Sequence, residues 1–334
     1  MFDFFFDARW IGGHGIGRFA AEVRPRLPVN TTDLSGADPV SARGLLELEL
    51  QALRSGLGRQ ATFFSPGYAP PLSWRGPLVF TVHDLIHLDV REESSCFKTL
   101  YYNSVVRPAM FRARKVLTVS EYSRQRLLEW SRVAPEQVVV VGNGVDAAFS
   151  PQGTVHQPGY PYILYVRNTK PHKNLVGLLR AFALIDMPDV RLVLSGTADD
   201  DTCHEALRLG ILKRVVFAGR IPESELPAYY RGATVVTMPS LYEGFGLPPL
   251  EGMACGVPVV VSNSTSLPEV VGDAGLLVDP RSAESIADGL TRALSDTALR
   301  QQMRERGLER AKLFNWDDVG SRVRAALELS PEDE

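Results

Sequence analysis

Cysteine is scarce in this 334-residue chain: Cys96, Cys203 and Cys255 are too scattered for a disulfide framework or for metal-ligand spacing. No run of about 18 apolar residues occurs, so no segment is expected to span a bilayer. The amino-terminal stretch Met1-Phe2-Asp3-Phe4-Phe5-Phe6-Asp7 lacks the basic flank and small-residue cleavage site of a secretory leader, which predicts a cytoplasmic protein. An excess of one charge sign is missing too. Thirty-six Lys and Arg stand against 39 Asp and Glu, a formal net charge of −3, which argues against a nucleic-acid partner held by a global positive field. What is present is ordinary for a globular protein: 45% hydrophobic and 22% charged residues, enough for sizeable cores. At roughly 150 residues per domain, the length predicts about two domains.

Short apolar runs rich in β-branched residues alternate with helical patterns, the signature of parallel sheets covered by helices. In the first half the expected strands are Asp3–Phe6, Thr62–Ser65, Leu78–Val82, Lys115–Val119 and Val138–Val141. Helical stretches fall near Arg18–Arg26, Ala42–Arg54, Phe97–Arg112 and Ser123–Ser131. The Pro- and Gly-containing run Ser150–Pro161 has no periodicity and reads as a linker. Beyond it the alternation restarts with strands Tyr162–Val166, Arg191–Leu194, Val215–Phe217, Thr234–Met238, Val257–Val261 and Gly275–Val278. The expected division is therefore 1–150, a linker at 151–161, a second domain at 162–313, and a C-terminal helical piece at 314–334 that could return to the first domain. Two facing α/β domains would leave a cleft at the carboxyl ends of their strands, where ligands usually sit.

The most informative segment is Ser240-Leu241-Tyr242-Glu243-Gly244-Phe245-Gly246-Leu247-Pro248-Pro249-Leu250-Glu251, between a strand and a helix. Pro248 suits the first helical position, where a missing N–H costs nothing. Gly244 and Gly246 allow the backbone to approach a ligand, and the free N–H groups of a helix start bind anions such as a pyrophosphate. Glu251, expected in the first turn, could accept hydrogen bonds from the two hydroxyls of a ribose, and Glu243 could hold a sugar ring. Either acid alone would be read as a solvated loop residue or a partner of the helix dipole. The constellation is what carries the chemistry.

This segment, two Glu residues with the seven residues G-F-G-L-P-P-L between them, resembles the signature of retaining glycosyltransferases of family 4, whose GT-B fold has two facing Rossmann-like domains. Asn143-Gly144-Val145-Asp146, Val166-Arg167-Asn168-Thr169-Lys170-Pro171-His172-Lys173-Asn174 and Thr81-Val82-His83-Asp84 agree with it in order along the chain. The resemblance implies a nucleoside diphosphate sugar donor as substrate, no metal and no other cofactor. It also implies catalytic roles for His83, Arg167, Lys173 and Glu243. Donor contacts would come from Gly15, Ile16, Gly17, Gly244, Phe245, Gly246, Leu247 and Glu251.

Arg167 and Lys173 would stabilise the negative charge that grows on a departing diphosphate. His83, at a strand end, could hydrogen-bond a sugar hydroxyl or act through its carbonyl; beside Asp84 and His87 it would otherwise suggest a metal or a structural role. Gly12-Gly13-His14-Gly15-Ile16-Gly17, after the first strand, is by itself also compatible with a dinucleotide fingerprint. In the family the equivalent loop closes over the diphosphate, and His14 is the departure from the small residue expected there.

No nucleophile is evident on the opposite face of the sugar, so the resemblance implies front-face transfer with retention. Gly15-Ile16-Gly17-Arg18, His83-Asp84-Leu85-Ile86-His87 and Ser120-Glu121-Tyr122-Ser123 look most like bacterial mannosyltransferases of O-antigen and exopolysaccharide assembly. That implies GDP-mannose as donor and a glycan or lipid-linked oligosaccharide as acceptor. Arg107, Arg112, Arg114 and Lys115 with Tyr101, Val105, Val106, Met110 and Phe111 could form a peripheral contact with the inner membrane face; an ordinary helix packed on its sheet reads alike. Rival readings are transfer from a UDP- or ADP-sugar, a nucleotide-sugar epimerase, a non-catalytic nucleotide-sugar-binding protein and an NAD-dependent dehydrogenase.

Overall fold

The computed structural model describes residues 4–28, 30–54, 61–166 and 170–329. Its first sheet contains β1 (Phe4–Asp7), β2 (Thr31–Leu34), β3 (Thr62–Ser65), β4 (Leu78–Thr81), β5 (Lys115–Thr118) and β6 (Val138–Val140). Every pairing is parallel and the order is β2-β1-β3-β4-β5-β6. Both faces are covered. Phe6, Phe64, Val79 and Leu117 pack with Phe19 and with Trp316, Val319 and Val323 of the C-terminal helix Trp316–Leu327. On the other face Phe63, Phe80 and Val116 meet Tyr102, Val106 and Met110. Burial on two sides is why these strands read as continuous apolar runs. β2 escaped the sequence reading because Thr-Thr-Asp-Leu sits at the sheet edge with its two central residues exposed.

The second sheet contains β7 (Tyr162–Tyr165), β8 (Arg191–Leu194), β9 (Val215–Phe217), β10 (Val235–Met238), β11 (Val259–Ser262) and β12 (Leu276–Val278). It too is wholly parallel, in the order β12-β11-β10-β7-β8-β9. Strand order reverses between β7 and β10, which lie side by side with Ile163 opposite Val235. In doubly wound sheets such a reversal parts the two loops leaving the strands' carboxyl ends and opens a ligand crevice.

The chain divides into 1–144 with 316–334, and 145–315. The line therefore falls at Gly144/Val145, ahead of the expected residue 150. The stretch 151–161 is bound into the second unit: Arg231 Nε donates to Thr154 O at 2.8 Å, and the His156 ring stacks on Tyr229 at 4.0 Å. The expected helix Phe97–Arg112 contains a π-helical turn, Tyr102–Val106, between Cys96–Tyr101 and Arg107–Arg112. Pro108 has no N–H to give the preceding turn, and the wider turn absorbs that loss. Among the described residues, no helix is long and apolar enough to cross a membrane.

Candidate active site

The two loops at the reversal of the second sheet carry the chemistry. After β7 the chain forms the single turn Pro171–Lys173 and enters the helix Leu175–Ala183 through Asn174. Asn174 has φ 60°, a left-handed conformation that asparagine tolerates well. Its Nδ2 donates to Pro239 O at 2.9 Å and to Pro280 O at 2.7 Å. Leu241 N donates to His172 O at 2.7 Å, and Tyr165 Oη to Lys173 O at 3.0 Å. The post-β7 turn is thus tied to the loop after β10, and the basic side chain is fixed against it.

That bracing sets the central contact. Lys173 Nζ lies 2.8 Å from both Glu243 Oε1 and Glu243 Oε2, with the two side chains only 18% and 9% exposed. The sequence placed Lys173 at the phosphates and Glu243 at the sugar without pairing them; the fold makes them one charge-assisted unit. A largely buried ion pair of this kind costs desolvation and is weak evidence for stability. Arg167, the other expected cation, lies outside the described residues.

The Glu243-Gly244-Phe245-Gly246 loop is held from beneath by residues the sequence reading did not single out. Glu243 N donates to Thr265 Oγ1 at 3.0 Å, and Ser266 Oγ donates to both Glu243 O and Phe245 O at 2.9 Å. The Ser before Leu267-Pro268, a helix-start pattern, was the available signal. Phe245 is buried edge-to-face against Phe314 at 5.8 Å. Gly246 has φ +112°, and a Cβ there would stand 2.4 Å from Leu267 Cδ2. Gly246→Ala is therefore expected to cost about 1–3 kcal/mol of stability. Gly13→Ala, where a Cβ meets nothing within 4 Å, should be close to neutral. Thermal unfolding of the two variants checks this.

The helix after the loop is Leu247–Ala254, capped by Gly246. Leu247, not Pro248, is its first residue, and Glu251 is its fifth, so Glu251 sits in the second turn and not in the first. Pro248 and Pro249 still cost nothing, because the first four N–H groups of a helix have no partner within it. Glu251 is buried, 3% exposed, and accepts a hydrogen bond from Tyr230 Oη at 2.6 Å. A buried carboxylate has room for several donors, so Tyr230 orients the group without exhausting it.

In the first unit, Gly15, Ile16 and Gly17 form the first turn of the helix Gly15–Val23, and the preceding loop is 11–14. His14, the anomaly of the sequence, is the helix N-cap: its Nδ1 accepts from Gly17 N at 3.0 Å. Gly17 is required by sterics, since a Cβ would lie 2.2 Å from Gly12 O.

His83 follows β4, half-buried, with its ring edge-to-face on Phe19 at 5.1 Å. Its Nε2 is 2.9 Å from Pro66 O. A carbonyl can only accept, so Nε2 carries the proton and Nδ1 is the acceptor of the neutral ring. Burial lowers its pKa from 6.5 to about 4, against the opposing pull of the Pro66 carbonyl. Between those values the unfolded chain binds a proton that the folded protein does not. Stability should therefore rise with pH across that window, and His83→Gln should flatten the rise in urea titrations. His87 and Asp84 have structural partners: Lys98 Nζ lies 3.2 Å from His87 Nδ1, and Asp84 Oδ1 accepts from Ile86 N. Among the described residues, no three His, Cys, Asp or Glu side chains gather as a metal-binding group.

The candidate membrane stretch is mostly core. Val106 and Met110 are fully buried, and the Tyr101 hydroxyl is pushed well above its usual pKa by burial. Of the apolar residues named from the sequence, only Phe111 is strongly exposed, joined by Phe97 and Leu100 on the outer side of the same helical stretch.

Comparison with known proteins gives the family and the fold. The family described as "Glycosyltransferase Family 4" matches residues 59–149, and "Glycosyl transferases group 1" matches residues 146–310. O-antigen chain mannosyltransferase B of Escherichia coli is 33% identical over 266 residues, covering 75% of this chain and 70% of that protein. Serotype-specific mannosyltransferase WbdA of Escherichia coli is 28% identical over 71% of this chain, which spans only 32% of WbdA. Among solved structures, HepE of Anabaena in complex with UDP and glucose superposes with a TM-score of 0.79 at 17% identity, covering 99% of this chain and all of HepE.

Proposed function

This chain belongs to glycosyltransferase family 4 and has the GT-B fold, and from that premise we propose that it transfers mannose from GDP-mannose, with retention, to a glycan or lipid-linked oligosaccharide of a bacterial surface polysaccharide. The observation that carries the transfer chemistry is the Lys173–Glu243 pair braced at the strand-order reversal of the second sheet. The mannose assignment draws its support from the mannosyltransferase relatives.

In this reading the diphosphate lies against the N–H groups of the loop and helix start at Gly244, Phe245, Gly246 and Leu247. Lys173, with Arg167 beside it in the motif, offsets the charge that develops as the sugar–phosphate bond breaks. These cations take the part a metal would otherwise play, so the reaction runs without one. Glu251, oriented by Tyr230, accepts the ribose hydroxyls. Glu243 touches the sugar as well as Lys173. His83, neutral at physiological pH, accepts a sugar hydroxyl through Nδ1. Backbone at Gly15, Ile16 and Gly17 contributes donor contacts. The departing phosphate takes the acceptor's proton on the same face, which preserves the anomeric configuration. The acceptor's lipid places the enzyme at the inner face of the membrane, where Phe97, Leu100 and Phe111 would meet the surface beside Arg112 and Arg114.

Incubation with a panel of nucleotide-sugars in EDTA, followed by nucleoside diphosphate release, tests the donor and the metal together. Consumption of GDP-mannose with an α-configured product by NMR is expected. Consumption of a UDP- or ADP-sugar alone would overturn the donor, and an inverted product the mechanism.

A further inference from the structure

The second unit has another concavity, at the opposite ends of the strands from the loop just described. It has a volume of about 280 Å³ and is lined by Arg231, Arg300 and Arg304 with Thr234, Thr297 and Gln301. Thr234 and Pro258 of its wall directly precede β10 and β11, whereas the donor loop leaves their carboxyl ends.

The three guanidinium groups are held by neutral partners. Arg231 donates to Thr154 O and Ser150 O, Arg304 to Gly256 O at 2.8 Å, and Arg300 to Thr297 Oγ1 and to the last carbonyls of the helix Ala283–Ser295. None of the three forms an ion pair with a carboxylate among the described residues; their hydrogen bonds go to backbone carbonyls and one hydroxyl. Neither Asp nor Glu lines the concavity.

Helix C-terminal carbonyls carry about half a unit of negative charge per helix, less than a full cation. Three whole charges facing such partial ones leave a net positive hollow. A guanidinium has five N–H donors in a fixed fork that matches phosphate oxygens, and these three use only one to three each on the protein. The Thr234 and Thr297 hydroxyls lie in the same wall, while the Gln301 amide donates to Glu305 Oε1 at 2.7 Å and keeps that carboxylate one helical turn from the rim.

We propose that this hollow is a binding site for a phosphate dianion, a free phosphate or a phosphomonoester headgroup, separate from the donor site. It also abuts the far end of the donor helix. Arg304 grips Gly256, two residues past Ala254, and Arg231 follows Tyr230, which orients Glu251.

Crystals of the full chain soaked in tungstate, a tetrahedral dianion with anomalous signal, test the site directly. A tungsten peak among Arg231, Arg300 and Arg304 is expected in the wild type and absent in Arg304→Gln, with an unchanged melting curve showing that the fold is kept. A peak confined to the Glu243–Leu247 loop, or none, would overturn the proposal whatever the donor proves to be. In calorimetry with inorganic phosphate, Arg304→Gln should bind about tenfold more weakly, the loss of one charge-assisted hydrogen bond. Flotation with phosphatidylcholine vesicles with and without phosphatidic acid separates the sources. Phosphatidic-acid-dependent binding lost in Arg304→Gln identifies a headgroup. Phosphate binding without such flotation identifies a soluble ligand, and neither would refute the site.

Discussion

Lys173→Ala is expected to lower kcat about 10²–10³-fold, the loss typical of removing one preorganised charge stabiliser of a transition state. The ammonium faces a charge that is larger in the transition state than in the bound donor, so kcat and kcat/KM should fall together. Part of the loss reflects Glu243, left buried without its 2.8 Å partner. Three further variants separate the contributions. Glu243→Gln alone removes the carboxylate, the double variant Lys173→Ala/Glu243→Gln removes the stranded charge, and Lys173→Arg restores a cation with different geometry. If the double variant recovered wild-type turnover, Lys173 would be a structural counter-ion and not a stabiliser of the leaving group. Steady-state kinetics with intact melting curves decides between them.

Glu251→Ala should act differently. The ribose is remote from the bond that breaks, so its contacts bind donor and transition state alike. KM and the Kd for GDP should rise about 10²-fold, as expected for two charge-assisted hydrogen bonds, with a much smaller change in kcat. The variant also removes the 2.6 Å hydrogen bond from the Tyr230 hydroxyl, which costs about 1–3 kcal/mol of stability. Tyr230→Phe removes only the orienting bond and should weaken GDP binding less than Glu251→Ala does. Unchanged GDP affinity in Glu251→Ala, by calorimetry, would remove Glu251 from the donor site.

Much of the fold was legible because parallel strands buried on both faces have little freedom in composition: Phe63-Phe64, Val79-Phe80 and Val259-Val260-Val261 are apolar whichever way they point. Edge and connecting elements were less so. β2 reads Thr-Thr-Asp-Leu, and the short helix Leu267–Val271 is too brief for a period to emerge. The loop of Glu243 to Glu251 announced itself by the density of glycine, proline and acid. Its scaffold did not, because Thr265, Ser266 and Asn174 are ordinary turn residues until the chain folds. His14 reads as an intruder in a glycine loop, yet at the helix N-cap its ring nitrogen does what a serine oxygen would do.

By itself the sequence determined the two doubly wound sheets, the placing of the acidic loop between a strand and a helix, and the balanced charge. Each follows from local composition and periodicity. Only the tertiary structure decided that Lys173 closes on Glu243 across 70 residues, that Tyr230 aims Glu251, and that three arginines share one hollow. Such contacts depend on strand order, and strand order is set by how β7 and β10 come to lie together, a pairing that no window of neighbouring residues encodes.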